Sequence, residues 1–206
     1  MSNELFKRIL SSIAISCISF FFITKGSFYF IFFISVTFLI AAYEWNNFKL
    51  SIFYKLLGSV FLIISFFSFY KIRVYDKEGL YLTFFVLTIC IATDIGGYIF
   101  GRIIKGPKLI SISPNKTYSG LFGAFICSLF ASFLYLTIFN FNVFNEVLIV
   151  IFISSISQAG DILISYFKRI SKIKDSGNLI PGHGGLLDRI DGMIFVFPCI
   201  YLIFNI

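Results

Sequence analysis

Asp188 and Asp191 stand three residues apart in the run GHGGLLDRIDG, which ends at Gly192. If a helix begins near Leu186, both carboxylates fall on one face at its entry, where the helix dipole favours negative charge. Two hard oxygen ligands on one face, with phosphates completing the shell, is a common way to hold Mg²⁺. Gly182, Gly184 and Gly185 let the backbone come close to a bulky ligand. Just upstream, Lys168, Arg169, Lys172 and Lys174 supply countercharge for several phosphates, with Asp175 set among them. Acids for a metal and bases for phosphates point to phosphoryl or nucleotidyl transfer. A polybasic loop that only sets topology and touches anionic lipid would explain the lysines. It would not explain three aspartates among them, nor the glycines around His183. Mg²⁺ prefers oxygen, so His183 is not expected as a ligand.

A second polar stretch, SISPNKTYSG, runs from Ser111 to Gly120. Its hydroxyls, its glycine and Lys116 precede an apolar run, a setting that suits a phosphate through backbone N–H groups and the helix dipole. The spacing is not that of a Walker A loop. Two carboxylates lie inside apolar runs, where a central Asp costs about 2.5–3.5 kcal/mol on insertion scales and defaults to a functional reading. One is Asp161, which shares a helical stripe with Gln158, Ser165 and Lys168. The other is Asp94, with Tyr98 and Arg102 one and two turns on. Helix-packing hydrogen bonds would also account for the first stripe, and an Asp94–Arg102 pair for the second. Gly97 and Gly101 form a small-xxx-small spacing that admits a neighbouring helix.

These residues sit in a chain of 206, of which 58% are hydrophobic and 13% charged. Its mean hydropathy is +0.94. Soluble domains carry about 25% charged residues, so the chain reads as an integral membrane protein. The expected architecture is an all-α polytopic membrane protein. Its seven or so transmembrane helices lie near 9–24, 27–43, 54–70, 79–99, 120–140, 146–167 and 190–206. The first span is read as a retained helix rather than a cleaved signal. With the N-terminus cytoplasmic, 13 of the 17 Lys and Arg residues fall on the cytoplasmic side. The net charge of +7 is thus a topological signal, and nucleic acid is not an expected partner. The polar loops 100–119 and 168–189 are both expected on the cytoplasmic side, as active-site loops. The whole of 1–206 is expected to form one membrane domain, with helices 1–93 followed by a catalytic half, 94–206. Cys17, Cys90, Cys127 and Cys199 lie singly in apolar runs and indicate neither disulfides nor zinc.

From Ser165 to Asp191 the sequence SYFKRISKIKDSGNLIPGHGGLLDRID resembles the signature of the phosphatidate cytidylyltransferase (CDP-diacylglycerol synthase) family. That pattern reads S-x-x-K-R, four residues, K-D-x-G, two residues, an apolar residue, P-x-H-G-G, two residues, D-R-x-D. Every fixed position matches. DIGGYIFGR with SPNKTYSG, and AYEWNNF from Ala42 to Phe48, also look like the family. The resemblance implies a multi-helix inner-membrane protein, a homodimer. It would use Mg²⁺ to convert CTP and phosphatidic acid into CDP-diacylglycerol and pyrophosphate. On that basis Asp161, Asp188 and Asp191 are expected to ligate metal and serve catalysis, with Lys174 and Asp175 beside them. Lys168, Arg169 and Lys174 would hold CTP phosphates, and Lys116 and Ser113 phosphate from the other loop. Ser165, His183, Gly184, Gly185 and Arg189 complete the substrate-binding set, although the residues alone assign His183 no role. The nearest alternative is a CTP-dependent lipid kinase of the polyprenol or dolichol type. A transporter would spread its charges across the midplane of several spans, and a structural lipid-binding protein would not need Asp188 or Asp191.

Overall fold

The computed structural model describes residues 2–76, 78–110, 113–180 and 184–206. Among these the chain forms α1 (Ser2–Lys25), α2 (Ser27–Asn46), α3 (Ile52–Val74) and α4 (Gly79–Ile103). A two-stranded hairpin follows, β1 (Lys108–Ile110) and β2 (Ser113–Thr117), then α5 (Tyr118–Phe139), α6 (Glu146–Ile170), α7 (Leu187–Ile190) and α8 (Met193–Ile203). The expectation of an all-helical chain is amended by the hairpin, which lies inside the expected loop 100–119. Its antiparallel strands pair Lys108 with Thr117 and Ile110 with Ser113.

Five helices, α2 to α6, are long and apolar enough to cross a membrane. Among the described residues these five, of the seven expected, meet that length and apolarity, and the first and last segments are shorter for different reasons. The first turns of α1 carry Asn3, Glu4, Lys7 and Arg8, so its apolar part is only Ser11–Lys25. The last segment, expected at 190–206, spends Ile190 to Gly192 on the end of α7 and a turn. That leaves α8 with 11 residues, roughly 16 Å of helix against about 30 Å of hydrocarbon. The outward faces of the long helices carry large apolar side chains such as Phe28, Phe122, Phe133 and Ile138, all well exposed. Lipid tails are as apolar as these side chains, so a bilayer leaves them at no cost. The chain is an integral membrane protein with a mostly helical fold.

Local chemistry sets the helix ends around the hairpin. Thr117 caps α5 by accepting a hydrogen bond from the Gly120 N–H at 3.1 Å, an ordinary use of a β-branched hydroxyl at an N-cap. The Ser119 hydroxyl donates to the Lys105 carbonyl and ties the hairpin's exit to its entry.

Two apolar clusters hold the bundle. The larger gathers Phe85, Val86 and Ile89 of α4, Val150 and Ile153 of α6, and Ile200 of α8, among others. The smaller joins Trp45 of α2, Leu62 of α3, Ile164 of α6, and Leu187 and Ile194 of α7 and α8. Polar ties cross between helices as well. Ser65 donates to the Ile194 carbonyl at 2.6 Å, and Thr93 to the Ser154 hydroxyl at 3.0 Å. The expected close approach along α4 is present. α4 lies along α5 so tightly that a Cβ on Gly120 would sit 2.7 Å from the Gly97 carbonyl oxygen. A second close approach joins α6 to the start of α8. A Cβ on Gly192 would overlap the Ser157 hydroxyl and lie 2.8 Å from its carbonyl oxygen. The second of these approaches brings the turn that carries Asp191 against α6, which carries Asp161.

Candidate active site

Asp94 precedes the end of α4 at Ile103 by nine residues, and Asp161 precedes the end of α6 at Ile170 by nine. Both therefore lie roughly 14 Å down from their helix ends. The turn after α7 carries Asp191 to the same level, because Gly192 lets it press against α6. The result is a cavity of about 390 Å³ whose wall includes Asp94, Asp161, Asp188 and Asp191 together with Lys116 and Arg189. Four acidic residues and two basic ones make the pocket acidic. Asp191 lies close enough to Asp161 and Asp94 to act on both as a like charge.

Each acidic residue has its own surroundings. Asp161 Oδ2 pairs with Lys116 Nζ at 2.5 Å, and Ser165 reaches Asp161 Oδ1 at 3.4 Å. Asp188 is the most enclosed by partners. Lys168 Nζ meets its Oδ1 at 2.7 Å, while the backbone N–H groups of Ser176 and Gly185 donate to its Oδ2 at 2.7 and 3.1 Å. Burial pushes the Asp188 carboxyl up. The Lys168 contact and the two backbone donors outweigh burial and hold it below the usual range. Asp191 Oδ1 accepts from the Gly192 N–H at 2.9 Å. Arg102 donates to the Tyr98 hydroxyl, one turn back on α4, at 2.7 Å.

The remaining expected residues divide. Lys116 and Arg189 line the pocket. Lys168 reaches it through Asp188. Arg169, Lys174 and Asp175 are exposed around the loop that follows α6. Gly184 Cα faces Asp175, and its carbonyl accepts from the Ile180 N–H at 2.9 Å. Gly185 is buried and serves Asp188 through its N–H. Ser113 is described as the first residue of β2 through its backbone only, and His183 and Gly182 lie outside the described residues. Asp94 faces the pocket although sequence reasoning left its stripe open between packing and function. One further carboxylate, Glu44 of α2, lies buried beneath the loop, in the AYEWNNF segment to which no role had been assigned. The rule that flagged Asp94 and Asp161, an ionisable residue in an apolar run, applies equally to Glu44.

The donor set suits a hard divalent cation, since the pocket offers carboxylate oxygens and an excess of negative charge. Among the described residues no three His, Cys, Asp or Glu side chains stand close enough together to ligate one ion. The Lys116 ammonium already rests on Asp161 as a monovalent countercharge. The pocket's carboxylates suit Mg²⁺ by chemistry, and phosphates would have to complete a shell that Asp161, Asp188 and Asp191 do not close by themselves.

A helical membrane protein with an acidic pocket between a basic hairpin and a basic loop is the class that fold and site define. Residues 48–206 match the model of the cytidylyltransferase family, and the chain belongs to that family. Among curated relatives, the phosphatidate cytidylyltransferase of Staphylococcus haemolyticus is 40% identical over 151 residues, covering 72% of this chain and 57% of the relative. That of Staphylococcus aureus strain COL is 39% identical over 151 residues with the same coverage. That of Staphylococcus epidermidis is 40% identical over 152 residues, again covering 72% and 57%. The chain thus spans a little over half the length of the curated relatives it matches.

Proposed function

We propose that this protein transfers a cytidylyl group from CTP to phosphatidic acid, giving CDP-diacylglycerol and pyrophosphate. A phosphate oxygen of phosphatidic acid attacks the α-phosphorus of CTP. The bond from that phosphorus to the bridging oxygen breaks, and pyrophosphate leaves with the electron pair. The attacking group is already an anion, so a strong general base is unnecessary. Catalysis then rests on positioning and on charge neutralisation. The single observation that carries this reading is the meeting of Asp94, Asp161, Asp188 and Asp191 with Lys116 and Arg189 on one pocket, in a chain of the cytidylyltransferase family.

Asp161, Asp191 and Asp188 would hold Mg²⁺. Bound there, the ion would neutralise phosphate charge and polarise the phosphoryl oxygens. Lys116, on the hairpin, is placed to exchange Asp161 for a nucleotide phosphate. Arg189 faces the same cavity and offers a planar fork for a second phosphate. Lys168 keeps Asp188 ionised and oriented. Arg169 and Lys174 stand at the surface of the following loop, where they would draw a polyanion inward. Lipid would enter from the bilayer beside α4 and α5, whose outward faces are apolar. The excess of Lys and Arg on the site's side favours a cytoplasmic pocket in a bacterial inner membrane, and the family resemblance favours a homodimer.

The test is purified protein in detergent with CTP, phosphatidic acid and Mg²⁺. CDP-diacylglycerol and pyrophosphate in equal amounts are expected. Release of CDP with a phosphorylated lipid would establish a CTP-dependent lipid kinase instead.

A further inference from the structure

The Glu44 side chain is 3% exposed and sits near the end of α2. Three donors from far along the chain converge on it. The Ser176 hydroxyl donates to Oε2 at 2.7 Å. The Leu187 N–H donates to the same oxygen at 2.8 Å, and the Leu186 N–H to Oε1 at 2.8 Å. Gly185 is packed so closely that a Cβ there would overlap both Glu44 Oε2 and the Ser176 hydroxyl. A Cβ on Gly177 would stand 2.9 Å from Glu44 Oε1. The loop has been built around this carboxylate.

The contacts continue directly to Asp188. Ser176 uses its hydroxyl on Glu44 and its N–H on Asp188 Oδ2. Gly185, wedged against Glu44, gives its N–H to the same Asp188 oxygen. Leu186 and Leu187, whose N–H groups end on Glu44, are the two residues that lead into Asp188. One carboxylate therefore sets both ends of the 176–187 loop, and through them the direction of the Asp188 side chain. Buried carboxylates are costly unless their hydrogen bonds are satisfied. Three satisfied bonds reaching more than 130 positions along the chain mark a site built to hold one backbone arrangement. Glu44 lies four residues before the region matched by the family model, which starts at residue 48.

We propose that Glu44 is a positioning residue, the anchor on α2 that holds Ser176 and the Gly185–Leu187 segment in the arrangement in which Asp188 faces the pocket. It touches neither substrate nor metal and acts through Ser176, Leu186 and Leu187. This rests on the cytidylyl-transfer reading for its effect on rate, but not for its effect on the loop.

The experiment compares wild type with Glu44→Gln and Ser176→Ala, each as the full chain in detergent. An amide keeps the size of Glu44 but turns an NH₂ toward at least one of the three donors. Hydrogen–deuterium exchange over residues 176–188 is measured together with the thermal midpoint, kcat, and the Mg²⁺ concentration at half-maximal rate. In Glu44→Gln, exchange across the loop is expected to rise at least tenfold while exchange in α4 and α5 is unchanged. kcat is expected to fall at least tenfold, because displacements near 1 Å at a reacting centre cost about that much or more. The Mg²⁺ requirement is expected to rise severalfold, with a smaller change in the KM for phosphatidic acid. A merely structural role would raise exchange throughout and leave the Mg²⁺ requirement alone. Ser176→Ala keeps both backbone bonds to Glu44 and should show the same changes at smaller size. It carries the test if Glu44→Gln does not fold. Unchanged loop exchange and unchanged Mg²⁺ dependence in a folded variant would overturn the proposal. If wild type makes no CDP-diacylglycerol, the functional reading fails, and loop exchange alone still decides the role of Glu44.

Discussion

Lys116 Nζ lies 2.5 Å from Asp161 Oδ2 and ties the hairpin to the middle of α6. The two side chains keep 23% and 32% of their surface exposed. A pair this open contributes about 0–1 kcal/mol to stability. Its value lies in placing a cation beside a carboxylate in a pocket that suits phosphates. Lys116→Gln should therefore leave the thermal midpoint within a few degrees and raise the KM for CTP about tenfold or more. Steady-state kinetics with a thermal melt on the same sample checks both.

Asp188 and Asp161 should respond differently to the same chemical change. Asp188 and Lys168 keep only 7% and 11% of their side-chain surface, and removing one partner of such a buried pair costs about 3–5 kcal/mol. Asp188→Asn is expected to lower the midpoint markedly and to remove turnover. In Asp161→Asn and Asp191→Asn turnover should also be lost. Their midpoints without Mg²⁺ should hold or rise, since each relieves repulsion within an acidic group. Thermal melts of the three variants in chelator, beside their activities, separate the two cases.

The pH dependence of folding follows from Asp188. Its folded carboxyl is held below the ordinary range, so the unfolded chain binds the proton more readily. The stabilisation is complete above the unfolded value of about 4 and is lost as the pH falls through the lower folded value. The midpoint of wild type should thus drop steeply below about pH 4. Asp188→Asn should show a flatter acid limb over that window.

Gly192→Ala tests how Asp191 is placed. The added methyl would overlap Ser157 and stand 2.8 Å from its carbonyl oxygen, so α8 must move away from α6. Overpacking of this kind costs about 1–3 kcal/mol. Activity should fall more than tenfold, because Asp191 moves with the helix. Lys172→Ala is the contrasting substitution. Lys172 is exposed, stands outside the matched signature positions, and should leave kcat within about twofold.

Much of the site was legible before the fold. Asp161, Asp188, Asp191, Lys116 and Arg189 were all identified from residue type and spacing or from the signature, and all five line one cavity. The apolar runs located α2 to α6 within a few residues. The last run, 190–206, misled because its first residues belong to the turn that carries Asp191 and only Met193–Ile203 continue as α8. The hairpin was hidden for a related reason, since three- and five-residue strands carry too few positions for an alternating pattern to emerge.

The sequence by itself determined the solvent, the chemistry and its general location. Length and apolarity of a run decide whether a helix can cross lipid, and residue type decides what can hold a metal or a phosphate. These are properties of neighbouring residues. Only the tertiary structure decided the partners. That Asp188 is held by Lys168 and not left open, that Lys116 rests on Asp161, and that Glu44 reaches Leu187 from 143 positions away all depend on how helices meet. Where they meet is set by a few close approaches, Gly120 on Gly97 and Gly192 on Ser157, whose distances are fixed by packing across the bundle rather than by any local stretch of chain.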